Sequence, residues 1–183
     1  GHGNTTDLSS PVKVGADTDW SKVLSSGYVT LGLKTTGKLY AWGYNVNGKL
    51  GLNDTADRSS PVQVGSLTDW SDIAVSNSCF GIKTNGELWS WGPGASGVTG
   101  HGDTTNRSSP VQVGALTDWA SLAQEVRGQG MSAIKTDGTI FVWGSNNSGQ
   151  LGLRDTANRS SPVQLGSGAG WNSVSSNFGM STG

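Results

Sequence analysis

Cysteine occurs once in the 183 residues, at Cys79, which excludes an internal disulfide and any cysteine-based zinc site. Its place beside Phe80 in an alternating run reads as a small buried hydrophobe rather than a reactive thiol. Charged residues are scarce too, at 14% with a formal net charge of -1. Twelve Lys+Arg without a basic cluster give no field for gathering phosphates, so neither nucleic acid nor an anionic membrane surface is expected as a partner. No apolar run approaches the ~20 residues of a membrane span, and the first residues carry no signal-peptide pattern, so membrane insertion is not expected. Sustained helical periodicity between caps is also missing, which excludes α-solenoid arrays. Disorder is excluded from the other side, since eight Trp and a near-neutral balance are the opposite of a chain unable to form a core.

Proline is sparse as well, five in all, yet Pro11, Pro61, Pro110 and Pro162 lie 50, 49 and 52 residues apart. Each sits in a copy of Ser59 to Trp70, S-S-P-V-Q-V-G-S-L-T-D-W, with versions starting at Ser9, Ser108 and Ser160. A fixed period near 50 marks a repeat architecture in which each unit buries its apolar surface on the next. The chain therefore reads as one array over residues 1–183, with repeats at about 1–50, 51–99, 100–151 and a partial 152–183.

Within a unit, Pro-Val-x-Val predicts a short strand that starts at its proline or lies at a sheet edge, because proline donates no ladder hydrogen bond. Trp20, Trp70, Trp119 and Trp171 follow, each leading into a short strand. The next strand, Val29 to Lys34 and its copies, ends in Thr36-Gly37, Asn85-Gly86 or Asp137-Gly138. Such pairs accept the positive φ of tight hairpins, so an antiparallel partner follows: Lys38 to Trp42, Glu87 to Trp91 and Thr139 to Trp143. Alternation there sets Leu39 and Ala41 on one face and Tyr40 and Trp42 on the other. Both faces are apolar, so the sheet must be covered on both sides. Gly32, Gly81 and Ala133 hold one strand position and suggest a place where backbones come close. The expectation is all-β: propeller blades of four antiparallel strands, forming an open arc of nearly four blades or part of a seven-bladed ring.

The unit carries Lys135-Thr136-Asp137-Gly138, Trp143-Gly144-Ser145-Asn146 and Gly149-Gln150-Leu151-Gly152 at fixed offsets, with copies upstream. In this it resembles the repeat of the regulator-of-chromosome-condensation family. The resemblance covers essentially the whole chain. It implies a seven-bladed propeller of about 350 residues at ~50 per blade. A three-and-a-half-unit arc is then expected to be a segment of a longer protein, or to be completed by other copies of itself. The strand histidine of the family is replaced here by Val29, Ser78 and Gly130, and the Gly-Trp-Arg-His-Thr motif of its ultraviolet sensors is absent.

Seven tryptophans in register, Trp20, Trp42, Trp70, Trp91, Trp119, Trp143 and Trp171, read as the repeat core; Trp89 stands outside the pattern. His2 and His101 share a position that is leucine at Leu52 and Leu153, which points to loop packing rather than metal binding. The recurring Asp54 to Arg58, Asp103 to Arg107 and Asp155 to Arg159 read as loops braced by an Asp-to-Arg pair, not as calcium sites. Asn4, Asn106, Asn146 and Asn158 match glycosylation acceptors, but their phase with the repeat assigns them to turns.

Departures from the repeat carry the functional expectation, because insertions in repeat proteins map to binding loops. The spans Trp20 to Lys34, Trp70 to Lys83 and Trp119 to Lys135 count 14, 13 and 16 positions, and the longest holds Gln124, Glu125, Arg127 and Gln129. Pro93 to Thr99, with Ser96, replaces the pattern of Tyr44 to Leu50. These loops are the candidate contact surface. No catalytic residue, metal or cofactor is expected, since no acid, base and nucleophile recur together. The expected function is a non-catalytic interaction or adhesion scaffold with a protein or glycan partner, at an extracellular, cell or virion surface. The alternative, implied by the resemblance, is guanine-nucleotide exchange on a small GTPase, which in the family requires a full ring and an insertion wedge.

Overall fold

The computed structural model describes residues 1–125, 129–173 and 175–176. Three four-stranded antiparallel sheets follow one another along the chain. The first is β1 (Trp20–Ser26), β2 (Val29–Lys34), β3 (Leu39–Gly43) and β4 (Arg58–Gln63), in that spatial order. The second repeats it with β5 (Trp70–Val75), β6 (Cys79–Lys83), β7 (Leu88–Gly92) and β8 (Arg107–Gln112). The third uses β9 (Trp119–Leu122), β11 (Gly130–Lys135), β12 (Ile140–Gly144) and β13 (Arg159–Gln164). Between β9 and β11 the chain leaves the sheet as β10 (Gln124–Glu125), which pairs in parallel with β14 (Ser175–Ser176). These are propeller blades, and three are complete. Of the partial fourth unit expected at 152–183, β13 completes the third sheet and β14 is the other strand among the described residues; Val174 and residues 177–183 lie outside them.

The core lies between the blades. One cluster joins Val29, Leu31, Leu39 and Ala41 of the first sheet to Ile73, Val75, Cys79 and Trp91 of the second. Another joins Phe80, Ile82 and Leu88 of the second to Trp119, Met131 and Trp143 of the third. The second sheet, whose strands have two apolar faces, is thus covered on both. A third cluster of Ile134, Ile140, Val142 and Leu151 covers the far flank of the third sheet.

The tryptophan at each blade's start lies over the small residue of the next strand: a Cβ on Gly32 would stand 2.5 Å from the Trp20 ring, and one on Gly81 2.6 Å from Trp70. The crowding is therefore by an indole, not by a second backbone. Each such ring meets two more aromatics: Trp20 with Tyr40 and Trp42, Trp70 with Trp89 and Trp91, Trp119 with Phe141 and Trp143. Trp89, outside the tryptophan register, holds the place of Tyr40 and Phe141. Over each trio lies the lysine that ends the second strand, with Lys83 Nζ 4.2 Å from the Trp89 ring.

Pro-Val-x-Val begins no strand. The strands start three residues earlier, at Arg58, Arg107 and Arg159, and a register shift opposite Trp42 places Ser59 to Pro61 in a bulge. The missing proline N–H is thereby absorbed at a sheet edge. Pro11 to Val14 is not a strand. Trp171, expected in the repeat core, is 51% exposed.

Blades are linked around the inner strands. Asp72 on β5 accepts Lys22 Nζ of β1 at 2.6 Å with one oxygen and the Leu122 backbone N–H of β9 at 3.0 Å with the other.

Candidate interaction face

The meander order of each blade sends its β1–β2 and β3–β4 connections, and their equivalents, to one face of the arc. Both candidate loops therefore share that face: Pro93 to Thr99 follows β7, and Gln124 to Gln129 joins β9 to β11. They meet where Ser96 Oγ donates to Gln129 Oε1 at 3.1 Å, across two blades and in solvent reach. Gln129 is exposed and Ser96 and Pro93 are half-buried. Thr99 is not available to a partner: it stands where Leu50 and Leu151 stand and is fully buried, with its carbonyl accepting Ser90 Oγ at 2.6 Å. Gln124 and Glu125 are described as the backbone of β10; Arg127 lies outside the described residues.

The second loop departs from its neighbours for a traceable reason. In the first and third blades the asparagine of Trp-Gly-x-Asn is buried and organises the loop. Asn45 Nδ2 donates to Asp54 O at 3.0 Å and to Ala56 O at 3.1 Å, while its Oδ1 accepts the Leu50 N–H at 2.8 Å. Asn146 repeats the arrangement with Asp155 and Leu151. In the second blade the position is Gly94, and the chain has closed in: a Cβ there would stand 2.2 Å from Thr105 O. Pro93 also lacks the N–H that Tyr44 and Ser145 donate across the hairpin to Tyr28 O and Gln129 O, at 2.9 and 2.8 Å. Ser78 Oγ instead donates to Pro93 O.

Asp-to-Arg braces recur in all three long loops, with Arg107 Nη2 2.9 Å from Asp103 Oδ2 and the same pairing at Asp54 and Asp155. Arg107 holds the Asp103 carboxyl far below the usual carboxylate range. The acceptor asparagines serve turns: Asn106 Oδ1 takes the Gly94 N–H at 2.9 Å and Asn158 Oδ1 the Asn146 N–H at 2.7 Å. Burial pushes the Cys79 thiol up to about 12, so it has no thiolate character at neutral pH.

His101 Nε2 lies 2.9 Å from Ser90 Oγ. The hydroxyl proton is already directed to Thr99 O, so the imidazole must be the donor, and the serine, fully buried, is not activated as a nucleophile. Among the described residues no three His, Cys, Asp or Glu side chains converge as metal ligands. What the face does offer is half-exposed polar loops and exposed apolar side chains, with Tyr28 84%, Tyr44 49% and Val46 44% exposed.

Comparison with known proteins places this geometry. Residues 36–80, 85–123 and 137–176 match the model of the Regulator of chromosome condensation (RCC1) repeat, more than half of the chain. No match was found among curated proteins. Among solved structures, yeast RCC1 (Prp20) bound to Kap60 aligns with a TM-score of 0.78 at 21% identity, over 91% of this chain and 42% of that one. Prp20p from Saccharomyces cerevisiae, in a study of its binding to Gsp1p and histones, aligns at 0.72 and 18% identity over 81% and 39%. Human WBSCR16 aligns at 0.69 and 20% identity over 82% and 39%. The chain spans about two fifths of the length of these structures.

Proposed function

The chain belongs to the Regulator of chromosome condensation (RCC1) repeat family, and from that premise we propose that it is a non-catalytic scaffold that binds a protein through the face carrying its long loops. The observation that carries this reading is the meeting of the two loops that break the repeat, joined by Ser96 and Gln129 on one face. Independent drift would scatter such departures over both faces. Rigid blades presenting adaptable polar loops are how repeat folds build contact surfaces.

A protein partner is the class supported by the fold's company, since the solved structures it resembles include one bound to Kap60 and one studied for binding to Gsp1p and histones. A glycan is the finer alternative for the Asn-, Ser- and Thr-rich loops. An extracellular, cell or virion surface setting is proposed from the low charge and the single cysteine, and awaits fractionation of the source.

The test is affinity capture on the purified chain from extracts of its source, beside a Ser96→Arg, Gln129→Arg double variant of equal melting temperature. Proteins retained by the first and lost from the second support the face; identical capture by both overturns it. Exchange activity is assayed separately as nucleotide release from a small GTPase, where no acceleration is expected.

A further inference from the structure

Three apolar positions turn polar together in the second blade. Where the first and third blades have Ala41 and Val142, Leu50 and Leu151, and Leu52 and Leu153, the second has Ser90, Thr99 and His101. These three meet at one point: Ser90 Oγ donates to Thr99 O at 2.6 Å and stands 2.9 Å from His101 Nε2. The neighbouring blades fold with hydrocarbon at each place, so the fold does not require the cluster. Stability does not require it either, since Thr99 Oγ1 is buried without a partner among the described residues, a cost that leucine avoids.

What the cluster fixes is one imidazole. The Ser90 proton is directed to Thr99 O, so Nε2 carries the ring proton and the neutral ring presents Nδ1 as a free lone pair. Burial first, and then the Arg107 charge, favour that neutral form against the opposing pull of Asp103. Beside the ring opens a recess of about 260 Å3 between the second and third blades, lined by His101, Val113, Leu116, Trp119, Phe141 and Pro162. Leu116 is exposed at its edge, and no Asp, Glu, Lys or Arg lines it among the described residues. The equivalent recess between the first and second blades, about 380 Å3, has Val64, Leu67, Trp70, Trp89 and Pro110 in the same places but Leu52 where His101 stands. It repeats the apolar wall without that acceptor.

An apolar, aromatic wall with one preset acceptor selects its ligand. A metal ion would find no further ligands converging among the described residues, and an anion would face a lone pair with no cation in the lining. A neutral molecule with an apolar ring and a single O–H donor satisfies both wall and acceptor. We propose that the recess binds a small phenol-class molecule, its ring lodged among Leu116, Trp119 and Phe141 and its hydroxyl donating to His101 Nδ1. Ser90 is then a positioning residue, which acts by fixing the imidazole tautomer. The site stands on the seam between the second and third blades and not on the loops assigned above, so each reading is tested without the other.

The probe is phenol, titrated into the 15N-labelled chain while the His101 ring nitrogens and the Trp119 indole N–H are followed, with toluene as the ring that lacks a donor. Saturable shifts at both residues are expected from phenol below the concentration that lowers the thermal midpoint. His101→Leu installs the residue of positions 52 and 153, and lowers the ratio of phenol to toluene affinity at least about fivefold, the worth of one hydrogen bond to a buried acceptor. Ser90→Ala, which installs the residue of position 41, leaves toluene binding unchanged, turns the ring-nitrogen spectrum from one neutral tautomer into a mixture, and lowers the same ratio. Absence of a saturable phenol shift overturns the proposal, as does a ratio indifferent to His101→Leu; an unchanged tautomer in Ser90→Ala overturns the role given to Ser90. Binding of N-acetyltyrosinamide without binding of phenol assigns the recess to a side chain of a partner protein and overturns the proposal equally.

Discussion

Replacing Asn45 by alanine isolates the side chain on which the first long loop depends. The substitution removes the acceptor of the buried Leu50 N–H and both donors that hold Asp54 O and Ala56 O. A buried N–H left unpaired costs about 1–3 kcal/mol, and each of the two lost donor bonds contributes about 0.5–1.5 kcal/mol net. The cost is thus about 2–6 kcal/mol, a large share of the stability of a domain this size. Urea unfolding followed by tryptophan fluorescence measures it as a lower midpoint at unchanged slope. Asn45→Asp is expected to do no better: it keeps the acceptor for Leu50 but loses both donors and sets a carboxylate beside Asp54 Oδ1, now 2.9 Å away. The counterpart in the second blade gives the sharper contrast. Gly94→Asn restores the repeat pattern yet is expected to destabilise, because Thr105 O occupies the space where the Cβ would go. A cost below about 0.5 kcal/mol for Asn45→Ala, or a gain from Gly94→Asn, would refute the reasoning.

Gly81→Ala is expected to cost about 1–3 kcal/mol by overpacking, since the new methyl meets the Trp70 ring at 2.6 Å, and thermal unfolding will register it. Asp72→Ala removes the acceptor of Lys22 and of the Leu122 N–H together and should cost about 2 kcal/mol, read from chemical denaturation. His101 has a pKa lowered first by burial and then by Arg107, so the native state binds its proton less readily than the unfolded chain. Its contribution is complete above the ordinary value of 6.5 and is lost as pH falls through the window below it. His101→Leu, the residue at positions 52 and 153, should therefore flatten the decline in melting temperature between pH 7 and 5, and an unchanged decline would count against this assignment. The carboxylates of Asp54, Asp103 and Asp155, held below their ordinary range by loop N–H groups and arginines, remain ionised across that window.

Much of the architecture was legible because it is repeated: prolines in phase, a tryptophan before each inner strand, and Gly37, Gly86 and Gly138 at hairpins that only positive φ allows. What escaped was set by tertiary contact. The strand beginning at Arg58 rather than Pro61 follows from a bulge opposite Trp42, which no local propensity encodes. Lys34, Lys83 and Lys135 look like strand-ending charges, yet each lies over an aromatic trio and within 4 Å of an aspartate; proximity of Trp20, Lys34 and Tyr40 arises only when three strands align. The departure at Gln124 was visible as irregular spacing, and that at Pro93 as a break in the repeated residues. That Ser96 meets Gln129, or that Thr99 is buried, depends on how one blade's loop leans on the next.

Because the apolar clusters lie between sheets and not within any one of them, the second sheet has, among the described residues, both flanks filled by neighbouring blades. For residues 1–183 as an isolated chain, the amides of Cys79–Lys83 should then be among the last to exchange with solvent deuterium, as a middle card is the last to leave a stack. A substitution at that central strand weakens two interfaces, whereas the same change in β2 weakens one. Tolerance to mutation along the chain should accordingly form a trough in the middle, a signature a deep mutational scan would draw directly.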